Sequence, residues 1–203
     1  MLNVAVAIQG HAGPLLVVAY HYKDELSQPF ELTLELLFED PSQDFESLIG
    51  AEVAASFPDE PFLPSVHGVL AEIEQKSFDP HGRSHYLARV VPPMALLAFR
   101  AGHRIVQHQP LLQIAAEVTA SAGQAPVLKA QPDPAREYTV QYGETDLRFV
   151  QRLLAEIGVG FSFDHAHESA PVFFDDLASA ASPKAQVPDR KSTRLNSSHA
   201  NIS

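Results

Sequence analysis

The 203-residue chain contains no cysteine and no tryptophan. Structural disulfides, thiolate metal sites and catalysis by a cysteine nucleophile are thereby excluded. Basic residues are scarce, 14 Lys and Arg against 25 Asp and Glu, for a formal net charge of -11. The first 80 residues hold 14 of those acids, with only Lys23 and Lys76 as bases. A surface of that sign repels phosphate backbones and anionic membranes, so nucleic acid is not an expected partner. No apolar run approaches the length of a membrane span. The opening MLNVAVAIQGHAG lacks the basic residues and long apolar core of a secretory signal. The expectation is a chain made in the cytoplasm, without a membrane anchor or signal peptide, whose export uses another route. Walker, GxGxxG, GxSxG, HExxH and EF-hand patterns are missing too.

What remains is the composition of a folded protein, 45% hydrophobic and 19% charged, with enough length for one large domain or two small ones. The last stretch, residues 190–203, reads RKSTRLNSSHANIS and carries three of the bases, Arg190, Lys191 and Arg194. It has no apolar period and is opposite in character to the body. The string resembles adapter-derived read-through, so it is set aside as a non-native tail.

The first half alternates as β-strands do. NVAVAI, PLLVVAYHY, FELTLELLF, EVAASF, VHGVLAEIEQKSF and SHYLARVV are strand-length and rich in Val, Leu and aromatics. Phe30, Leu32, Leu34 and Leu36 alternate with Glu31, Thr33 and Glu35, which buries one face and wets the other in an antiparallel sheet. GHAGP, EDPSQD, FPDEP and DPHGR supply the turns. Six such strands predict a small barrel, one whose free edges need covering by the rest of the chain or a neighbouring copy.

After Pro92 and Pro93 the pattern turns helical. Pro110 opens a helix near 110–121 that lines Leu111, Ile114, Ala115 and Val118 on one face and stops at Gly123. A second helix near 145–157 has Thr145 as its cap, Asp146 at its positive end, and Leu147, Val150, Leu154 and Ile157 as its stripe. Phe149 and Leu153 widen that stripe, and Gly158 ends it. REYTVQY and VGFSF flank this helix as strands, QAPVLKAQPDPA reads as an exposed loop, and PVFFDD as one further strand.

Candidate chemistry is thin. Asp24 with Glu25 and Asp175 with Asp176 are adjacent acids, for which a solvated surface is the better reading than a catalytic pair. His165, His167 and Glu168 in DHAHE are the best lead to a metal, and His81 and His85 flank a turn. No recognisable spacing supplies further ligands, so no catalytic, cofactor or metal residue is assigned and no cofactor is expected.

REYTVQYGETDLRFVQRLLAEIGVGFSFDH, residues 136–165, is similar to a segment of VgrG proteins and of phage tail hub (late control D) proteins. The matching positions are Gln141, Tyr142, Glu144, Asp146, Leu147, Phe149, Arg152, Leu153, Gly158, Phe161 and Phe163. LSQPFELTLELL, DFESLIGAEV, VHGVLAEIEQ and HYLARVVPPMALLAFRAGHRIVQHQPLLQIAAEVTASAG extend the resemblance over about residues 3–175. Gly143 and Pro92–Pro93 depart from it.

The resemblance implies an α+β fold: an antiparallel β-barrel of the tail-hub type over 1–98, then a small α/β module over 99–163, with 164–189 starting a further module. It implies the structural hub of a type VI secretion spike, joining the inner tube to the puncturing part, and not an enzyme. In full length the family is a homotrimer that meets inner-tube and baseplate proteins. A spike-tip protein and effectors would be carried by an OB-fold and needle beyond residue 189. A fragment without those parts is expected to trimerise weakly or not at all. The baseplate hub of a contractile phage is the alternative, and a metal-dependent enzyme or binding module built on His165 and His167 is the second.

Overall fold

In the computed structural model the described residues are 3–13, 15–38, 46–60, 63, 65–78 and 83–180. The proposed tail at 190–203 lies outside them. The first half forms one antiparallel sheet from β1 (Ala5–Ile8), β2 (Leu16–Lys23), β3 (Glu31–Phe38), β4 (Glu52–Ser56), β5 (Ser65–Phe78) and β6 (Ser84–Val91), in the order β1-β4-β5-β6-β3-β2. These are the six expected strands. Their alternation sets the pairing: Leu32 lies opposite Val90, Leu34 opposite Ala88 and Leu36 opposite Tyr86, all buried. A slip of one residue would turn that whole set to water.

The sheet curls into a half-barrel, helped by register shifts at Val17/Ala19, Leu70/Glu72 and Gln75/Ser77, since a bulge bends its strand and adds twist. Its edges are β1 and β2, consecutive in sequence, and no ladder joins them among the described residues. Ile8 and Val17 nevertheless enter the same core. At Gly68 of β5 an added Cβ would lie 2.6 Å from the Val91 carbonyl oxygen, so glycine lets β5 pass close to the end of β6.

Pro92 and Pro93 open a 3-10 helix, Pro93–Phe99, which leads into a strand that the sequence pattern did not signal, β7 (Ala101–Gln109). It pairs antiparallel with β9 (Arg136–Thr145) in a two-stranded ribbon. Between them lie α1 (Leu111–Ala120) and β8 (Val127–Leu128), so the stretch read as a loop contains a short strand. Pro110 is the residue before α1, not its first helical residue. Then follow α2 (Asp146–Glu156), β10 (Gly160–Asp164) and β11 (Ala170–Phe174), with sheet order β10-β11-β8. The two strands flanking α2 therefore belong to different sheets. The β10–β11 hairpin spans position 163/164, where the sequence reading places a change of module.

One core runs through both halves, from Ile8 and Leu34 in the sheet to Leu112, Phe149, Leu153 and Phe161 in the rest. The halves are also joined by polar contacts. Ser27 N–H donates to the Phe161 carbonyl at 2.8 Å, and the Gln151 amide donates to the Ser27 carbonyl at 3.0 Å.

Candidate functional site

The expected motif residues gather where β9 turns into α2. Gln141 and Thr139 point inward from β9 and are buried, whereas Tyr138, Val140 and Tyr142 point outward. The strand thus carries its apolar residues on the wet side. At Gly143 the ladder slips, with Gly102 opposite Glu144 but His103 opposite Tyr142. Gly143 is the extra residue, at φ +64, a left-handed conformation in which glycine avoids a cost of about 1–2 kcal/mol. No near neighbour crowds its missing Cβ, so the conformation and not space requires glycine there.

The bulge turns Glu144 and Asp146 towards the arginines. Asp146 is only 5% exposed at its side chain. Its Oδ1 accepts from Arg104 Nη2 at 2.7 Å and from the Gln141 amide at 2.9 Å, and its Oδ2 lies 3.1 Å from Arg100 Nη2. Its own N–H donates to the Arg100 carbonyl at 2.7 Å. A carboxylate taken out of water costs several kcal/mol unless paired this fully. Thr145 caps the helix as expected, accepting from the Arg148 N–H at 3.2 Å. The Gln141 amide also donates to the Glu144 carbonyl at 3.0 Å, which fixes the orientation of its amide.

Glu144 takes Arg152 with both oxygens, at 2.6 and 3.3 Å. Arg152 further donates to Glu156 at 2.9 Å and to the Val140 carbonyl at 2.9 Å. The hydrogen bonds that Arg152 donates to Glu144 raise its pKa above its ordinary value, against the opposing effect of burial. Phe149, fully buried, has the Arg152 guanidinium 5.3 Å and the Arg104 guanidinium 5.8 Å from its ring centre, within the range of cation–π attraction.

The remaining motif residues are apolar supports. Leu153 is buried and Leu147 half-buried on α2. Gly158, at φ +70, ends the helix, with Val159 N–H returning to the Leu154 carbonyl at 2.9 Å. Phe161 and Phe163 are buried on β10, and Phe163 meets Phe30 of the first half edge to face at 5.0 Å. Tyr142 stands apart: it is 82% exposed and touches His103 ring to ring.

Arg100 and Arg104 were missed from the sequence. The available signal was charge: no acid occurs between Asp79 and Glu117, while Arg83, Arg89, Arg100 and Arg104 do. Bases so isolated must find acids from another part of the chain if they are not left to water.

The DHAHE lead comes apart in space. His165 turns inward, with Nε2 2.6 Å from Tyr22 Oη and Nδ1 2.8 Å from Ser169 Oγ, while His167 points to solvent and meets Asp164 at 2.8 Å. Burial and the neighbouring Asp24 raise the Tyr22 phenol above its usual range, so it stays protonated at neutral pH. Ser169 Oγ also accepts from the His67 N–H at 2.9 Å. The cluster ties the 164–169 turn to β2 and β5. Among the described residues no group of three or more His, Asp or Glu is arranged to hold a metal. Asp24 and Glu25 are exposed, as are Asp175 and Asp176.

The phage tail baseplate hub (GPD) family matches residues 23–202. The chain belongs to that family. Among the hub's curated relatives is the type VI secretion system spike protein VgrG4b of Pseudomonas aeruginosa, 34% identical over 178 residues, which are 86% of this chain and 22% of VgrG4b. This hub chain thus spans about a fifth of that relative's length. The Escherichia coli c3393 protein, described as a type VI secretion component similar to the phage T4 tail proteins gp27 and gp5, superposes with a TM-score of 0.75 at 32% identity. That match covers 85% of this chain and 49% of the other. The 43 kDa tail protein of prophage MuSo2 from Shewanella oneidensis gives 0.59 at 14% identity over 84% of this chain and 52% of its own, a likeness of fold. Fold class and hub character are as the sequence resemblance implied. No helix among the described residues is long and apolar enough to cross a membrane.

Proposed function

We propose that this chain is the hub part of a type VI secretion spike, working by transmitting force through contacts between subunits and not by catalysis. The observation that carries the reading is the match to spike proteins at 32–34% identity over about 85% of the chain. Tail proteins at 14–16% identity share the fold and lend the phage-baseplate alternative no more than that. In this reading the longer protein is a homotrimer that assembles in the cytoplasm against the inner tube and baseplate. It carries tip protein and effectors on parts beyond this chain, and is expelled by the machine itself. The motif residues from Gln141 to Phe163 serve as a joint that fixes α2 against the ribbon and the ribbon against the core, so that load passes without local unfolding. The geometry around Asp146 and Glu144 favours this role, because both acids are engaged by donors from their own chain, Asp146 by Arg100, Arg104 and Gln141 and Glu144 by Arg152.

A chimera tests the reading. Residues 3–175 of this chain replace the corresponding stretch of a full-length spike protein in a strain lacking its own. Release of the inner-tube protein into the medium is the expected result, and a stable, well-expressed chimera that supports no release would overturn it.

A further inference from the structure

We propose that His165 is an acid-triggered switch: on gaining a proton it is drawn toward Asp24 and lets the 164–169 turn go from the edge of β5. Strand β5 outruns β6 at this end, since its pairing with β6 begins at Val69, and residues 65–68 have a paired strand, β4, on one side only. The turn covers the other side. Ser169 Oγ accepts from the His67 N–H at 2.9 Å, and Ser65 Oγ donates to the His165 carbonyl at 3.2 Å. Glu168 and Ser169 hold left-handed φ values of +53 and +54 without being glycine. Such strain lasts only while the contacts around it enforce it.

Tyr22 Oη is hydrogen-bonded to Asp24 as well as to His165. A carboxylate only accepts, so Tyr22 donates to Asp24 and its oxygen takes the proton of His165 Nε2–H. Nδ1 is then the bare nitrogen and accepts from Ser169 Oγ at 2.8 Å. Neutral His165 thus leaves each of these groups satisfied. An imidazolium donates from both nitrogens. Ser169 Oγ then meets two N–H donors, His165 and His67, while its own proton has no other acceptor among the described residues. Ser169 is fully buried, so its hydroxyl is satisfied again only by moving out to water. Asp24 acts on the opposite side of the ring: its Oδ2 lies 3.9 Å from Nε2, and the ion pair replaces what is lost at Ser169. Among the described residues no other ion pair reaches His165. From β5 the titratable neighbour is His67, and Phe30, ahead of β3, presents an apolar ring at 5.3 Å. Lys23 pairs with Glu25, and Glu60 accepts from Tyr20. Within the turn Asp164 and His167 pair with each other, and Glu168 is exposed.

Nuclear magnetic resonance of the isotope-labelled chain tests the switch at single groups. Between about pH 7.5 and about pH 5.5 the His67 amide should lose protection from hydrogen exchange several-fold, relative to its intrinsic rate at each pH and in step with titration of the His165 ring. Amides of the β3–β6 ladder should keep theirs. At the upper pH the His165 ring should be the Nε2–H tautomer. Ser169→Ala should leave the His67 amide equally poorly protected at both ends of the range. His165→Asn should abolish the pH dependence, whereas His67→Gln should keep it. Asp24→Asn, which removes the draw on the ring, should move the midpoint to lower pH, and this variant carries the test if His165→Asn does not fold. An Nδ1–H tautomer, or His67 protection that is the same at both ends, would overturn the switch. So would a pH dependence that survives His165→Asn, one that disappears with His67→Gln, or a midpoint unmoved by Asp24→Asn.

Discussion

At Asp146 a single carboxylate ties the start of α2 to Arg100 and Arg104 at the start of β7, a distant segment, and to Gln141 of the adjoining β9. Removing one partner from a buried charge pair costs about 3–5 kcal/mol. Here both arginines are more than a third exposed and rehydrate when released, so Asp146→Asn should cost about 2–3 kcal/mol. Glu144→Gln, at a more exposed ion pair, should cost about 1 kcal/mol. Urea midpoints would give the order, and a Glu144 variant weaker than the Asp146 variant would contradict the account. Tyr22 gives a prediction in pH. A phenol whose folded pKa lies above its unfolded value adds stability that is complete below about pH 10 and is lost as pH rises through the folded value. Tyr22→Phe lacks both that term and the hydrogen bond to His165, so it should be weaker than the parent at pH 7 by about 1 kcal/mol. The two stabilities should converge above about pH 10, and urea midpoints measured from neutral to alkaline pH that stay parallel would contradict this.

Among the elements, α1 shows how a helix borrows what its own sequence lacks. Pro110 stands at its cap and has no side-chain acceptor to offer. Asp133, beyond β8, accepts from Leu111 N–H at 2.8 Å and Leu112 N–H at 3.0 Å instead. Asp133→Ala should cost about 1 kcal/mol, a fall in Tm of about 2–4 °C for a chain of this size, readable by calorimetry. Helix α2 was legible because Thr145 caps it from the adjacent position, and the six strands of the first sheet were legible because their alternation has one buried phase. Cap and partner are far apart in sequence for α1, which no local pattern reports. Strand β7 was missed for a related reason: AGHRIVQHQ puts Val106 on the core side together with the partly exposed Arg104 and leaves Ile105 outside, so its alternation has no clean apolar phase for a strand read by burial. In β9 the alternation marked the strand, yet its apolar phase faces water. Both failures fall on the ribbon, where local pattern and core burial disagree, and such disagreement is expected where a surface is built for something besides folding.

For the whole molecule the question is whether the two halves are one folding unit. Sequence alone divides the chain at 98/99, where alternating strands give way to helices. In the structure apolar contact crosses that line continuously, with Phe30 against Phe163 and one core from Ile8 to Phe173. The Tyr22–His165 and His67–Ser169 contacts, and those of Ser27 with Phe161 and Gln151, add hydrogen bonds across it. Units that share a core lose it together, so a single cooperative transition is expected. Because the chain has no tryptophan, separate reporters can be installed without background. Val18→Trp on β2 and Val127→Trp on β8 both replace partly exposed residues. Urea curves from the two variants should share a midpoint once each is corrected for its own stability by far-ultraviolet circular dichroism. His165→Ala should move both by the same amount, about 1–2 kcal/mol for the two hydrogen bonds it removes. Two separate midpoints, with His165→Ala shifting one alone, would mean that the halves fold independently and that load passing through the hub is borne by a hinge between them.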